Sequence, residues 1–166
     1  MSRYPHPFRP LLATLLACLI ATAASARVGE SVASIKERFG KPDPKSPKNM
    51  VIWFIEASNG PLVYTVTYNA KGISIAEGLK PLKTATLTAE SAKNFIQDQV
   101  APIKDSSTTR VIKPGEKYAF GGQAFVCAED EFVVLDQAND LLIVWSRGGV
   151  GTVLAVSREM LQPASH

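Results

Sequence analysis

The chain has 166 residues, of which 46% are hydrophobic and 20% charged, and its 18 Lys and Arg against 15 Asp and Glu give a formal net charge of +3. Two of the basic residues, Arg3 and Arg9, and none of the acids fall in the first 26 positions, so the rest of the chain is left almost neutral, with 16 basic against 15 acidic residues. That balance provides no electrostatic footprint for nucleic acid or an anionic membrane. The only histidines are His6 and His166, which removes Ser-His-Asp and Cys-His catalysis and histidine-based zinc sites from the interior of the chain.

Residues 1–26 read as a secretory signal. Arg3 and Arg9 form a basic start, residues 11–23 are almost continuously apolar, and Ala24-Ser25-Ala26 is a small-residue cleavage site before Arg27. The apolar stretch is shorter than the roughly 20 residues a membrane-spanning helix needs. The expected products are a signal peptide (1–26) and an exported, periplasmic or secreted protein with no transmembrane segment. Leu15-Leu16-Ala17-Cys18 resembles a bacterial lipidation box, but the bulky Leu16 and the apolar residues after Cys18 argue against a lipid anchor there. Cleavage leaves Cys127 as the single cysteine, so no intramolecular disulfide can form. Its apolar neighbours Ala124-Phe125-Val126 predict a small buried hydrophobe.

Val28, Val32, Ile35 and Phe39 recur at helical spacing, with Ser31 as N-cap and Gly40 and Pro42 as a stop, predicting a helix near residues 31–39. Residues 41–49 hold three prolines and three lysines and read as a solvated connector. Met50–Ile55 is a continuous apolar run, which predicts a buried central strand. Ser58-Asn59-Gly60-Pro61 is turn chemistry. In 62–68, Leu62, Tyr64, Val66 and Tyr68 face one way and Thr65 and Thr67 the other. A four-residue loop, 69–72, leads to a short return strand over Ile73–Ala76.

Thr88 is the expected cap of a second helix with Ala92, Phe95, Ile96 and Val100 on its apolar face, ended by Pro102. A polar loop at 104–109 follows. The strands 118–120 and 123–126 flank Gly121-Gly122, 132–135 and 141–145 flank the turn 136–140, and 148–151 precedes a strand at 152–156. This is an antiparallel sheet of four or five strands. The predicted class is therefore α+β, a helix followed by an antiparallel meander, occurring twice. One half spans 27–84 and the other 85–166, the two forming one compact domain.

No motif for catalysis, a cofactor or a metal stands out. Gly121-Gly122-Gln123 matches the peptidyl-tRNA hydrolysis tripeptide of release factors, but a two-residue hairpin explains it. Gly148-Gly149-Val150-Gly151-Thr152 lacks the Gly-Lys-Ser/Thr end of a phosphate loop and reads as a turn. The acids Glu129, Asp130, Glu131, Asp136 and Asp140 lie at strand ends and do not follow the spacing of a calcium loop. They are the only candidates for carboxylate acid–base chemistry, which a cleft uniting two of them would favour. Trp53, Tyr64, Tyr68 and Trp145 are the candidate binding surface, against a simpler role in core packing.

The segment Gly29-x-Ser31-x-x-x-Ile35-x-x-x-Phe39-Gly40-x-Pro42, then Trp53 and the hairpin Tyr64–Ile75, resembles the small outer-membrane assembly lipoproteins of the SmpA/OmlA type. The resemblance covers residues 28–76. It implies a helix packed on a three-stranded sheet and a non-catalytic role in binding envelope partners. The β-lactamase inhibitor proteins are similar in carrying such a helix-plus-sheet unit twice. The leading expectation is an exported, non-enzymatic module that binds a protein or envelope component, without a cofactor. The alternatives are a carboxylate-dependent hydrolase and a carrier of a small apolar ligand, the latter calling for an apolar cavity beside Trp53 or Trp145.

Overall fold

The computed structural model describes residues 27–82, 85–101, 103 and 106–162. The signal segment with Cys18, the cleavage site Ala24-Ser25-Ala26, Pro102 and both histidines lie outside the described residues.

The first helix, α1 (Val32–Phe39), begins where the Ser31 hydroxyl accepts the Ser34 N–H at 3.1 Å and ends at Gly40, whose N–H returns to Lys36. Its buried side chains, Val32 and Ile35, are those of the predicted apolar stripe. Ahead of it the chain is stitched to the fold: Val28 N–H donates to Gln99 Oε1 at 3.0 Å, Gly29 N–H to Ser74 O, and Ser74 N–H to Glu30 O. Three antiparallel strands follow, β1 (Met50–Ala57), β2 (Gly60–Tyr68) and β3 (Ser74–Pro81). The second helix, α2 (Ala89–Val100), is capped by Thr88, whose hydroxyl accepts the Ser91 N–H at 3.0 Å, and buries Ala92, Phe95, Ile96 and Gln99. After it come β4 (Thr109–Ile112), β5 (Lys117–Phe120), β6 (Gln123–Val126), β7 (Glu131–Asp136), β8 (Leu141–Ser146) and β9 (Thr152–Ser157).

The strands build a seven-stranded antiparallel sheet in the order β1-β2-β3-β9-β8-β7-β4, beside a separate β5-β6 hairpin. The chain is therefore α+β, with a helix ahead of each run of strands. The first meander joins the second through β3 and β9, where Ala76, Glu77, Gly78 and Leu79 pair with Val156, Ala155, Leu154 and Val153. The second run departs from a plain meander, because the β5-β6 hairpin leaves the sheet between β4 and β7. Its turn, Gly121-Gly122, has φ of 58° and 81°. Positive φ at both central residues is the turn whose twist suits a two-residue hairpin, and glycine adopts it without cost.

The two faces of the sheet are covered differently. On one, α1 and α2 lie over a core built on Val51, Trp53, Tyr64, Val66, Ile143 and Val153. On the other, Tyr118 and Phe120 of the hairpin, with Cys127, pack on Ile112, Val133, Leu135, Leu142 and Val156. That second cover is centred on the half of the sheet away from β1. Over β1, β2 and the near side of β9 the face stays open, with Phe54 56% and Leu154 45% exposed.

Three expectations are corrected. Met50–Ile55 is not a central strand: β1 is the sheet's edge, and its continuous apolar run serves one helix-covered face and one open face. The return strand runs to Pro81 instead of Ala76, because pairing with β2 on one side and β9 on the other outweighs the weak strand preference of Glu77, Gly78 and Lys80. Residues 109–112 form β4, an added edge on β7, with the polar segment confined to positions before it.

The proline-rich segment also does more than connect. Asp43 N–H donates to Ile52 O at 2.8 Å, Ile52 N–H donates to Ser46 Oγ at 3.0 Å, and Met50 N–H donates to Pro47 O at 3.2 Å. The loop thus satisfies outward-facing backbone groups of the edge strand that would otherwise invite pairing by another chain. Ser46→Ala is expected to cost about 1 kcal/mol, the net worth of one hydrogen bond, and to raise concentration-dependent self-association. Urea unfolding and size-exclusion chromatography of the variant measure both.

Candidate functional site

The register places Trp53, Tyr64, Leu79, Val153, Trp145 and Phe132 in one row across six strands on the helix-covered face. Trp53 and Trp145 are four strand spacings apart in it, about 19 Å, so the aromatic candidates do not form a single site. Trp53 is 4% exposed, and its Nε1–H donates to Gly40 O at 3.1 Å, tying β1 to the end of α1. Tyr64 is 3% exposed and sits among Phe39, Trp53 and Phe95, with ring centroids at 5.0, 6.3 and 6.1 Å. Tyr68 is half-buried at the margin of the same core. Trp145 is also half-buried, with Phe132 edge-on at 6.4 Å.

Beneath the helices lies a carboxyl group that the sequence reading did not single out. Glu77 is 1% exposed and points from the middle of β3 into the helix-side core. Tyr64 donates to its Oε2 at 2.5 Å, Gln99 Nε2 to the same oxygen at 2.9 Å, and Ser74 to Oε1 at 2.7 Å. Burial pushes the Glu77 carboxyl above the usual carboxylate range against the pull of these three donors. Burial, then the Glu77 charge, drives the Tyr64 hydroxyl far upward. The network links β2, β3 and α2, and through Gln99 the stitch at Val28. A buried acid with every oxygen bonded and no opening onto solvent is a structural tie.

The predicted acids are dispersed. Glu129 and Asp130 occupy the turn before β7, where the Arg147 guanidinium donates to the Glu129, Asp130 and Glu131 carbonyls. Asp136 closes the other end of β7, about 20 Å along the strand from Asp130, and Asp140 lies in the turn beyond it. Asp140 pairs with Arg158 at 2.6 Å. Asp136 is fully buried and accepts from Thr109, from Asn139 N–H and from Asn139 Nδ2. Burial alone would raise its pKa, but the Asn139, Thr108 and Thr109 bonds outweigh it and hold the carboxyl below the ordinary value. No cleft unites two of these acids. Cys127 is 1% exposed, and burial pushes its thiol up, away from the nucleophilic thiolate.

Two concave features border the first meander. One is a cleft of about 390 Å³ between the end of α1, the first meander and α2, with Phe39, Tyr64 and Phe95 among its walls. The other lies on the open face, where Gly78 is flanked by Ile52 and Thr65 on one side and Leu154 on the other. A Cβ at Gly78 would sit 3.0 Å from Thr65 Oγ1 and 3.5 Å from Leu154 Cδ1. A groove of about 360 Å³ lies beside it, bounded also by Met50, Val63 and Lys80. No helix among the described residues is long and apolar enough to cross a membrane. Comparison with family models, curated proteins and solved structures gives no match to this chain.

The buried acids yield opposite pH signatures. A Glu77 pKa raised above its unfolded value, about 4.3, means the native state binds more protons in that window. Stability is then lost as pH rises from about 4.3 through the folded value. Glu77→Gln is expected to flatten that loss. Asp136, held low, contributes stability above its unfolded pKa, about 3.9, which is lost as pH falls through the folded value. Asp136→Asn is expected to remove that acid-side loss and to lower neutral-pH stability by about 2 kcal/mol. Urea titrations of the variants at a series of pH values test both signs.

Proposed function

We propose that this chain is an exported, non-enzymatic binding module whose docking surface is the open half of the sheet. The carrying observation is the composition of β1: Met50, Ile52 and Phe54 are apolar although they point away from the helix-side core, and Phe54 remains 56% exposed. A solvent-facing strand surface is ordinarily polar; an apolar one continuing into a groove is what a protein partner buries. The groove beside Gly78 has room for one large apolar side chain. Exposed Lys80 at its margin favours a partner presenting an acid next to that side chain. The dispersed acids, the tied-up Glu77 and the buried Cys127 support a binding role over hydrolysis. The resemblance of residues 28–76 to envelope assembly proteins supports the same reading.

The test places a photocrosslinking amino acid at Phe54 or at Lys117, on the hairpin, in the exported protein within its source cells. A discrete adduct from position 54 and none from 117 is expected. Phe54→Asp is expected to leave stability within about 0.5 kcal/mol, as for an exposed site, while costing 2 kcal/mol or more, roughly 30-fold, in affinity for the crosslinked partner. Equal labelling from both positions, or undiminished binding by the variant, rejects the surface. The intact mass of the exported chain should correspond to a start at Arg27; a chain retaining residues 1–26 contradicts the export reading.

A further inference from the structure

On the opposite side of the sheet from the docking face, the cleft between α1 and α2 has the make-up of a small-molecule site. Its walls are Phe39, Ile55, Leu62, Tyr64, Leu79 and Phe95. The Tyr64 hydroxyl is spent on Glu77, so the floor presents the ring and no free donor. Polarity is confined to one lip, where Ser91, Asn94 and Asp98 line the cleft from α2. Spacings of three and four put them on one stripe of that helix, beside the stripe of Ala92, Phe95 and Ile96 that packs inward. Arg27 approaches this lip but donates its Nε–H to the Asp98 backbone carbonyl at 2.9 Å, and the Asp98 carboxylate forms no ion pair with a described residue. The cleft therefore offers an apolar body, a line of hydrogen-bonding groups on one side and the Asp98 carboxylate, with the Arg27 guanidinium held on the Asp98 backbone carbonyl beside it. Its volume of about 390 Å³ lies within the range of small-ligand pockets.

We propose that this cleft binds a small cationic amphiphile, its alkyl or aromatic part against Phe39, Tyr64 and Phe95 and its ammonium group at Asp98. The same charge disfavours a fatty acid or any other amphiphile with an anionic head. The inference stands apart from the docking face, because it uses the other side of the sheet and other residues.

The probes are octylamine, octanol and octanoate, three heads on one chain length, titrated into the protein spanning residues 27–166. Calorimetry reads affinity, and NMR chemical shifts of the Phe39, Tyr64 and Phe95 rings read location. Octylamine is expected to bind about fivefold tighter than octanol, the upper range for a solvent-accessible ion pair, and octanoate weakest. Asp98→Asn should bring octylamine to the level of octanol. Ala57→Phe, which projects a ring into the cleft, should abolish binding of all three while the melting temperature holds. If that variant does not fold, Ser91→Phe on the lip serves the same purpose. Equal affinity for the three heads, shifts confined to other residues, no binding of octylamine, or full binding by the filled variant overturns the proposal.

Discussion

The four-residue ladder between β3 and β9 is the constraint on which the rest of the molecule depends. It is where the two meanders become one sheet, and its residues have divided duties. Glu77 sends a carboxyl group up between the helices, and Tyr64, Ser74 and Gln99 converge on it. Gly78, next in the chain, leaves the opposite face bare of a side chain. Leu79 completes the row that joins Tyr64 to Val153. Shifting this strand by one residue would put a carboxylate onto the open face and close the groove, since each strand residue alternates sides. The network opposes that slip, because it would take from the buried Tyr64 and Gln99 groups their shared acceptor, and a buried donor that loses its acceptor costs about 1–3 kcal/mol.

The same asymmetry organises the surfaces. Two helices close one face except at a cleft, and a short hairpin closes half of the other. The cleft and the groove both border the first meander, on its two sides. The second run of strands supplies a firm base, and the first meander, held to it by β3, presents two unlike surfaces on its two sides.

Much of the local structure was legible because its causes are local. Ser31 and Thr88 act as caps, Gly40 ends α1, and Gly121-Gly122 makes a hairpin from residues that are neighbours in the chain. The alternation of Leu62, Tyr64, Val66 and Tyr68 against Thr65 and Thr67 also holds. What escaped depends on distant partners. Glu77 between Ala76 and Gly78 carries no periodic signal, and two of its donors are 13 and 22 residues away. The run Met50–Ile55 has the composition of a strand buried on both faces, and nothing local tells such a strand from an edge with an exposed apolar side. Of the candidate aromatics, Trp53 and Tyr64 are buried in the helix-side core, the simpler role the sequence offered them, with Tyr64 also forming part of the cleft wall. The cleft itself is made by α2 lying across the first meander, a long-range arrangement without a motif.

The loop over the edge of β1 limits where another strand can be added to the sheet. With Ile52 bonded to Asp43 and Ser46, the first half of β1 is closed to an added strand, and β4 at the far side offers an edge only four residues long. Prolines 42, 44 and 47 reinforce this, since they present no N–H to an approaching chain.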